Sequence, residues 1–521
     1  FFVHCLMRRL FRMDDMFIGY HLFVRIISMI SAAILSFSIN LLAPQGAVAS
    51  TERHATEVGL GVLEDGGNAV DAAIAIHFAL GVTYPNAGNL GGGGFLVYRS
   101  PSGENIFLDF REVAPINATL DMYAEEGSSS VLGWLAVAVP GAVPGMWEAH
   151  QKYGSLPWSR LVSPAYELAK EGFVLSETFC QNLKRYQKSL SLDSNSKKVF
   201  FDSQKIVAGT RFVQPELAQS LRLILEQGVE AFREGYIVDE ILRASKANKG
   251  ILCAEDFQNY RPQWRTPHCF YWQDKEIVTA SLPSSGGLFL QQTLSILEAW
   301  PLSLWGKDDP RAIQLIGEAS AVAFRDRNQF YGDPDSVSLD LKKLVDENYL
   351  QLLRQQVSSS SQSKSHEGVR YLSNESSETT HFSVLDSFGG AVSCTTTLNS
   401  NYGAKVMAAG ILMNNEMDDF ASMPGVPNQF GLVQSPANNI VPGRRPLSSM
   451  APTIVVKDGV VDAVIGSPGG PTILTTVLQI ILNRYVFKLS PLSSVGAPRF
   501  HRQDYPTYIR YEWARFSTNI K

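Results

Sequence analysis

The 521-residue sequence predicts an α+β fold, because it combines strand-like alternation of polar and apolar residues with apolar residues at helical spacing. The alternation occurs at 379–384 and 392–398, and both stretches are rich in β-branched residues. Helical spacing occupies 55–64 and most of 144–260. With 45% hydrophobic and 18% charged residues, the composition is that of a globular protein, and the length allows one large domain or several of average size.

The first segment of the chain has the pattern of a leader. Arg8, Arg9 and Arg12 precede a largely apolar stretch at 24–43, which is typical of a secretory signal peptide or of a single membrane anchor. We therefore assign 1–43 as a leader. It predicts a periplasmic or extracellular location, with the protein either released or anchored to the membrane.

The next elements are predicted to be two helices and a glycine-rich loop. The helix at 55–64 ends at a Gly-Gly pair, and Asn68 can cap a second helix, 69–80, which is apolar nearly all round and should be buried. Four glycines, 91–94, precede a strand at 95–99. No Lys-Ser or Lys-Thr follows them and the order is loop then strand, so we exclude a nucleotide phosphate loop.

Charged residues at the ends of elements are ambiguous from pattern alone. A strand predicted at 106–112 ends in charges, and its Arg111 fits a solvated strand end as well as a binding residue. An amphipathic helix is predicted at 316–330. Its three consecutive charged residues are expected to form surface or subunit pairs: Arg325, Asp326 and Arg327.

A polar linker leads into the first strand of a predicted hairpin. The segments 357–365 and 374–378 are polar and lack apolar periodicity, whereas 379–398 has the pattern of two strands joined by a glycine-containing turn. Pattern alone favours a plain structural hairpin. However, a linker that ends at a Thr opening a core strand suits a self-cleaving precursor. A cut between Glu378 and Thr379 would free an α-amine beside the Thr hydroxyl, which supplies both a base and a nucleophile.

Charge and cysteine pattern exclude several other classes. The net charge of −5 gives no reason to expect a nucleic-acid partner. The five cysteines are scattered, odd in number and without zinc-binding spacing. Because no cluster of metal ligands appears in the sequence, we predict that neither a metal nor an organic cofactor is required.

Four ordered motifs resemble those of one enzyme family. They are Thr379-Thr380-His381 with Thr397-x-Asn399, then 410–420, 445–450 and 466–470. The sequence resembles γ-glutamyltransferase, a family of N-terminal nucleophile hydrolases, over nearly all of the chain beyond the leader. The resemblance implies a four-layer αββα sandwich with a helical elaboration, a large subunit at 44–378 and a small subunit at 379–521. Members of the family continue well beyond Glu512, so the small subunit is expected to be short.

The resemblance also implies roles for individual residues. Thr379 is the expected nucleophile, and the Thr397 hydroxyl is expected to position it. The expected oxyanion hole is formed by Gly469 and Gly470. The residues expected to bind the substrate fall into two groups: Arg111, Ser448 and Ser449 for its α-carboxylate, and Asn399, Glu416 and Asp419 for its α-amine. The two acids are three residues apart, so in a helical turn they would share a face and repel each other unless a cation lay between them.

The implied activity is that of a self-processing γ-glutamyl hydrolase and transferase acting on glutathione and related compounds. Thr379 would carry the acyl group as an ester and pass it to water, an amino acid or a dipeptide. Two alternatives stay open: an acylase of the same fold for glutaryl or poly-γ-glutamyl compounds, and a truncated, non-catalytic membrane or binding protein. One departure is Phe430, in a loop that resembles the lid of bacterial members. They place Tyr near this position, and Phe cannot form the phenolic hydrogen bond.

Overall fold

Two β-sheets packed face to face form the centre of the protein, and helices cover the outer face of each. The computed structural model describes residues 46–360, 370–371, 378–423 and 425–512. The predicted leader and most of the predicted linker lie outside the described residues, so the assignments made for them stay predictions. The linker prediction is wrong for 357–360, because these residues continue a helix and Val357 is buried.

The strands are short and are numbered in chain order. In the described residues they are β1 (Gly46–Ala49), β2 (Gly93–Arg99), β3 (Asn105–Asp109), β4 (Phe173–Val174), β5 (Arg211–Phe212), β6 (Gln263–Arg265), β7 (His268–Trp272), β8 (Lys275–Thr279), β9 (Arg370–Tyr371), β10 (Thr380–Asp386), β11 (Ala391–Thr397), β12 (Met407–Ala408), β13 (Ile411–Leu412), β14 (Thr453–Lys457), β15 (Val460–Ile465), β16 (Phe500–His501) and β17 (Arg510–Tyr511).

The helices concentrate between β3 and β10, as the pattern at 144–260 predicts. In the described residues they are α1 (Arg53–Glu64), α2 (Ala69–Thr83), α3 (Ala142–Tyr153), α4 (Trp158–Glu171), α5 (Glu177–Leu190), α6 (Ser194–Lys197), α7 (Pro215–Gln227), α8 (Tyr236–Ala247), α9 (Ala254–Asn259), α10 (Gly286–Leu297), α11 (Leu302–Trp305), α12 (Pro310–Phe330), α13 (Glu347–Ser360), α14 (Thr472–Tyr485) and α15 (Pro491–Gly496). None of the helices in this described part has the length and apolar character needed to span a membrane.

The two large sheets are antiparallel and are built from distant parts of the chain. The first has the order β1-β10-β11-β2-β3-β6, and the second has the order β15-β14-β8-β7. Phe95 and Phe107 of the first sheet belong to the same buried apolar cluster as Ile454 of the second and as residues of α10, α12 and α14. On the other face of the first sheet, Leu96 and Val384 pack with α2. The layers are therefore helix, sheet, sheet, helix, which confirms the predicted αββα fold.

Helix α2 is buried on nearly every side, as its composition predicts. The Asn68 side chain accepts hydrogen bonds from the N–H groups of Val70 and Asp71, and the Asp71 carboxylate accepts one from the N–H of Asn68. This capping box satisfies N–H groups at the helix start that have no partner within the helix. The predicted cap is therefore confirmed.

The predicted hairpin is also present and lies within the first sheet. Strand β10 pairs with β11, with Thr380 opposite Thr396. Residues of β10 alternate between buried and half-buried positions, whereas β11 is buried throughout because it lies between β10 and β2. Thr379 itself lies immediately before β10, so the strand begins one residue later than predicted.

Asp386 joins this hairpin to helix α2. Its Oδ1 accepts hydrogen bonds from the N–H groups of Phe388 (2.9 Å) and Gly390 (2.7 Å), which closes the turn. Its Oδ2 accepts one from the N–H of Ala69 (2.9 Å) in the first turn of α2. The positive end of the helix dipole favours a negative charge there. One buried carboxylate therefore fixes the hairpin against the helix.

Two details differ from the sequence predictions. Strand β3 ends at Asp109, so Arg111 lies beyond the strand rather than at its end. Of the surface or subunit pairs predicted for Asp326 and Arg327, the surface alternative is wrong, because α12 packs against both α10 and α13 and both side chains are buried. Asp326 accepts hydrogen bonds from the Tyr349 hydroxyl (2.9 Å) and from the Gln292 side-chain amide (2.8 Å).

Replacing Asp386 with Ala is expected to lower the midpoint of thermal unfolding, because three N–H groups would lose their acceptor. A buried donor left without a partner costs about 1–3 kcal/mol, so we expect a loss of at least about 2 kcal/mol. Circular dichroism during heating measures the change. Ser387→Ala, at an exposed position of the same turn, is the control. An Asp386→Ala protein that unfolds together with the wild type would contradict this role.

Candidate active site

Thr379 lies at the edge where the two large sheets meet. It is only 4% exposed, and its Oγ1 is 3.0 Å from Oγ1 of Thr397 at the end of β11. Oγ1 of Thr397 also accepts a hydrogen bond from the N–H of Asn399 (2.9 Å). The antiparallel pairing of β10 with β11 brings the two threonines together, although they are far apart along the chain.

The backbone at Thr379 has a left-handed conformation, with φ of +75°. For a β-branched residue this is a genuine outlier, and such strain costs roughly 1–3 kcal/mol. The surrounding structure holds the strained peptide in part through the preceding residue, because the N–H of Gly469 donates a hydrogen bond to the carbonyl oxygen of Glu378 (2.9 Å). Strain is thus stored at the peptide bond where the sequence predicts cleavage.

Gly469 and Gly470 connect strand β15 to helix α14. Both have positive φ, +121° and +55°, which side-chain-bearing residues rarely adopt. A Cβ on Gly470 would lie 3.0 Å from the ring of Phe430, so this position also requires a close approach. The N–H groups at the start of α14 favour negative charge. The loop is therefore suited to bind an oxyanion next to the Glu378 carbonyl.

His381 is the nearest histidine along the chain to Thr379, but its ring nitrogens form hydrogen bonds with other residues. Its Nδ1 lies 2.9 Å from the Thr395 hydroxyl and its Nε2 lies 3.0 Å from the Ser383 hydroxyl. Burial lowers the pKa of His381 to about 3, so the ring is neutral at physiological pH. With its ring nitrogens engaged by Thr395 and Ser383, His381 is not the base that would activate Thr379.

Arg111 is the centre of a buried charge cluster. Its guanidinium forms an ion pair with Glu416, a second with Asp419 (2.5 Å) and a longer one with Glu112 (3.5 Å). A 3₁₀ turn, Glu416–Asp419, sets two of these acids on the same side, as their spacing predicts. In the structure the cation between them is Arg111, which the sequence analysis assigned to the substrate carboxylate.

The acids of this cluster outnumber the guanidinium that they contact. Burial raises the pKa of Glu112 to about 7 and that of Glu416 well above its usual range, although the charge of Arg111 opposes both shifts. Burial likewise raises the pKa of Asp419. Both carboxylate oxygens of Glu112 and one of Glu416 lack a hydrogen-bond donor in the structure. The cluster therefore has acceptor capacity for an additional positive group.

The remaining predicted binding residues border the same small cavity as Thr379. Ser448 accepts a hydrogen bond from the N–H of Met450 (3.1 Å), and the Asn399 side-chain amide donates one to the carbonyl of Asn415 (3.0 Å). The lining combines the two groups that the sequence assigned to carboxylate and amine binding with the nucleophile pair: Arg111, Thr379, Thr397, Asn399, Glu416, Asp419, Ser448, Ser449 and Gly470. Gly469 and Glu378 line an adjoining cleft of about 750 Å³ that shares Phe430 and Pro471 with it. The structure therefore brings all the predicted site residues together.

Two residues of the site escaped the sequence analysis. Arg327, assigned to the surface, lines the cavity from helix α12, and Glu112 contacts Arg111. Glu112 could have been predicted from the sequence, because it directly follows Arg111. Arg327 had none, since its neighbours in the cavity are contributed by remote segments. Within the described ranges, no group of three His, Cys, Asp or Glu side chains is arranged to hold a metal ion.

Comparison with known proteins identifies the family. The family model described as gamma-glutamyltranspeptidase matches residues 55–521. The chain belongs to the gamma-glutamyltranspeptidase family. Among relatives, it is 41% identical over 481 residues to the glutathione hydrolase proenzyme of Escherichia coli, a match that covers 90% of this chain and 83% of that protein. It is 34% identical over 493 residues to the Bacillus subtilis protein of the same name, covering 90% and 82%.

Solved structures agree with this family assignment. The Helicobacter pylori gamma-glutamyltranspeptidase structure matches with 38% identity and a TM-score of 0.59, covering 62% of this chain and 98% of that one. A cephalosporin acylase from Bacillus halodurans matches with a TM-score of 0.79, covering 91% and 86%. Its identity of 24% supports a shared fold alone. The αββα architecture of the chain is thus that of the gamma-glutamyltranspeptidases and of a wider group of enzymes.

Glu112 should contribute a loss of stability as the pH rises from about 4.5 to about 7. Its pKa is 4.5 when exposed and about 7 in the folded protein, so the folded state binds more protons in this window and loses stability as they dissociate. Buried histidines such as His381, whose pKa falls from 6.5 to about 3 on folding, act in the opposite direction in the same window. In Glu112→Gln the unfolding midpoint should therefore rise more, or fall less, with pH than in the wild type. Thermal unfolding at several pH values tests this, with the exposed Glu104→Gln as control; an unchanged slope in Glu112→Gln would argue against it.

Proposed function

We propose that this chain is a self-processing γ-glutamyl hydrolase and transferase. The observation that carries the proposal is the geometry at one peptide bond. The Glu378 carbonyl accepts a hydrogen bond from Gly469, while the hydroxyl of Thr379 is paired with that of Thr397. In the uncleaved chain, the proposed nucleophile Thr379 therefore adjoins the Glu378 carbonyl that it would attack, and the N–H of Gly469 already donates to that carbonyl oxygen. The relatives named glutathione hydrolase proenzyme support both the activity and the precursor form.

Self-cleavage would proceed by attack of the Thr379 hydroxyl on the carbonyl carbon of Glu378. The C–N bond breaks, the hydroxyl proton is transferred to the nitrogen, and an ester joins the two residues. Water then hydrolyses the ester, which leaves a carboxylate on Glu378 and a free amine on Thr379. Relief of the strained backbone at Thr379 favours this direction. The products would be a large subunit ending at Glu378 and a small subunit beginning at Thr379.

The freed amine would then act as the base for substrate turnover. It accepts the proton of the Thr379 hydroxyl as this attacks the γ-amide, and it returns the proton to the leaving amine. Gly469 and Gly470 would stabilise the oxyanion, and losing one such donor typically costs about 3 kcal/mol of the barrier. The resulting γ-glutamyl ester passes its acyl group to water or to the amine of an amino acid or dipeptide.

The charge cluster suits a substrate that carries both an ammonium and a carboxylate. The α-carboxylate would bind Arg111 together with Ser448 and Ser449, whose hydroxyls can donate hydrogen bonds to it. The α-ammonium would take the place of the guanidinium on Glu416 and Asp419. Arg111 would thus exchange its acidic partners for the substrate carboxylate, while Glu416 and Asp419 exchange the guanidinium for the substrate ammonium. Because both exchanges occur together, no buried charge is left without a partner. A γ-glutamyl group, as in glutathione, carries this pair of charges.

The same cluster argues against the two alternative functions. A glutaryl group has no ammonium, so it would leave the acids around Arg111 without an additional cation. A non-catalytic binding protein would have no need of a strained Thr facing an oxyanion donor. The leader predicted at 1–43 supports a periplasmic or extracellular site of action. The substrates would then be peptides such as glutathione that are present outside the cytoplasm.

Thr379→Ala is expected to remain one uncleaved chain, because it lacks the attacking hydroxyl. Denaturing electrophoresis should show two bands for the wild type and one for the variant, and Edman sequencing of the wild type should report Thr-Thr-His-Phe. Thr379→Ser, which keeps a hydroxyl, and Thr380→Ala, next to it, are the matched controls and should still be cleaved. Two bands from Thr379→Ala would refute self-cleavage.

Turnover of γ-glutamyl-p-nitroanilide tests the activity itself. The wild type should release the chromophore, and glycylglycine should accelerate the release if the acyl group is transferred to a dipeptide. Thr379→Ala should release none. If the cleaved wild type is inactive with this substrate, the γ-glutamyl specificity is wrong even though the processing is right.

Thr397→Val should slow self-cleavage by about 100-fold, because the hydroxyl of Thr379 loses the partner that orients it and a small misplacement of a nucleophile has an effect of this size. The rate is measured by following the precursor band with time. Thr397→Ser keeps the hydroxyl and should process close to the wild-type rate. Equal rates for Val and Ser at this position would show that the hydroxyl does not position the nucleophile.

A further inference from the structure

Arg327 is a buried cation whose described hydrogen bonds go only to neutral oxygens. It is 1% exposed and lies on helix α12 against the cavity that contains Thr379. Its guanidinium donates to the hydroxyls of Ser285 (3.2 Å) and Ser449 (3.4 Å) and to the side-chain carbonyls of Asn328 (3.0 Å) and Gln434 (3.3 Å). Throughout the described ranges of the chain, no carboxylate lies within ion-pair distance of it.

Arg111, which lines the same cavity, has the reverse environment. Three carboxylates, those of Glu112, Glu416 and Asp419, surround its single guanidinium. The charge of Arg111 is therefore paired with carboxylates in contact with it, whereas Arg327 has only the longer-range attraction of Asp419. Burial lowers the pKa of Arg327 to about 10, which still leaves it charged at neutral pH. A buried charge without a counterion is unfavourable, so this side of the cavity should attract an anion.

Arg327 also fixes the hydrogen-bonding direction of Ser449. A guanidinium has only donors, so the Ser449 oxygen must accept from Arg327. The hydrogen of the Ser449 hydroxyl is then available for an acceptor in the cavity. Arg327 contacts Ser285 in the same way, and the Ser285 hydroxyl in turn donates to the carbonyl of Ser448 (2.7 Å). One side chain thus orders the segment that carries both serines.

We propose that Arg327 is the second cation of the α-carboxylate subsite, where it supplies a positive charge that no described carboxylate contacts and holds Ser449 as a hydrogen-bond donor toward the substrate. The inference rests on the proposed function, because it assigns a part of the γ-glutamyl group to this side of the cavity. Arg327 acts on the carboxylate through Ser449 and through its field, so it is a positioning residue.

The test compares ligands that differ only in the α-carboxylate. γ-Glutamyl-p-nitroanilide carries it, and 4-aminobutyryl-p-nitroanilide, used as a competitor, lacks it. In Arg327→Gln, the KM of the first should rise at least about tenfold, because both a buried positive charge and the orientation of the Ser449 donor are lost, with kcat changed far less. The inhibition constant of the second should stay within about twofold. Arg325→Gln removes the same charge from the partly exposed neighbour on α12 and should change neither constant.

Equal effects on both ligands, or no effect on either, would overturn the proposal. Arg327→Lys keeps the charge but not the planar fork, so its KM should lie between those of the wild type and Arg327→Gln. If Arg327→Gln does not fold, the same comparison is made with Arg327→Lys and the same outcomes decide. If the wild type shows no turnover, the proposed function fails separately. Calorimetric measurement of the binding of L-glutamate and of 4-aminobutyrate then tests the role of Arg327. The proposal requires that Arg327→Gln weaken the binding of L-glutamate and leave that of 4-aminobutyrate unchanged.

Discussion

The hydrogen bond from the N–H of Gly469 to the carbonyl of Glu378 joins the two halves of the fold at the point where the chemistry is proposed. Glu378 and Thr379 lead into β10 of the first sheet, whereas Gly469 follows β15 of the second. The contact exists only because the two sheets pack face to face and in register. The αββα sandwich therefore does more than provide a core, since its sheet-to-sheet packing sets the distance between Thr379, the proposed nucleophile, and Gly469, the proposed oxyanion donor.

Electrostatics constrain the site as strongly as packing does. The cavity lining has an excess of acid around Arg111 and, at Arg327, a cation that no described carboxylate contacts. A zwitterion that enters in one orientation satisfies both sides, and in the reverse orientation it would meet like charges. Such a division of charge contributes selectivity mainly by opposing the wrong ligand. Burial is the main cause of the raised pKa values of Glu112 and Glu416, and neighbouring acids raise them further.

Local sequence patterns correctly predicted the features of the fold that depend on residues close together in the chain. The hairpin around Asp386, the cap at Asn68 and the shared face of Glu416 and Asp419 are all determined by neighbours within a few residues, so they were found without a structure. The resemblance to a family supplied the site residues that pattern alone left ambiguous. Arg327 was missed because a charged residue on an amphipathic helix normally faces solvent, and only the packing of α12 between two other helices reveals that it is buried.

The conformation of Thr379 has a consequence for the reversibility of maturation. Once its amine is free, no preceding peptide holds the residue at a positive φ, and the backbone can relax. Religation would have to restore that conformation against a penalty of roughly 1–3 kcal/mol, which alone disfavours the joined form by about 5- to 150-fold. The folded structure would thus favour cleavage of the Glu378–Thr379 peptide bond and disfavour its re-formation.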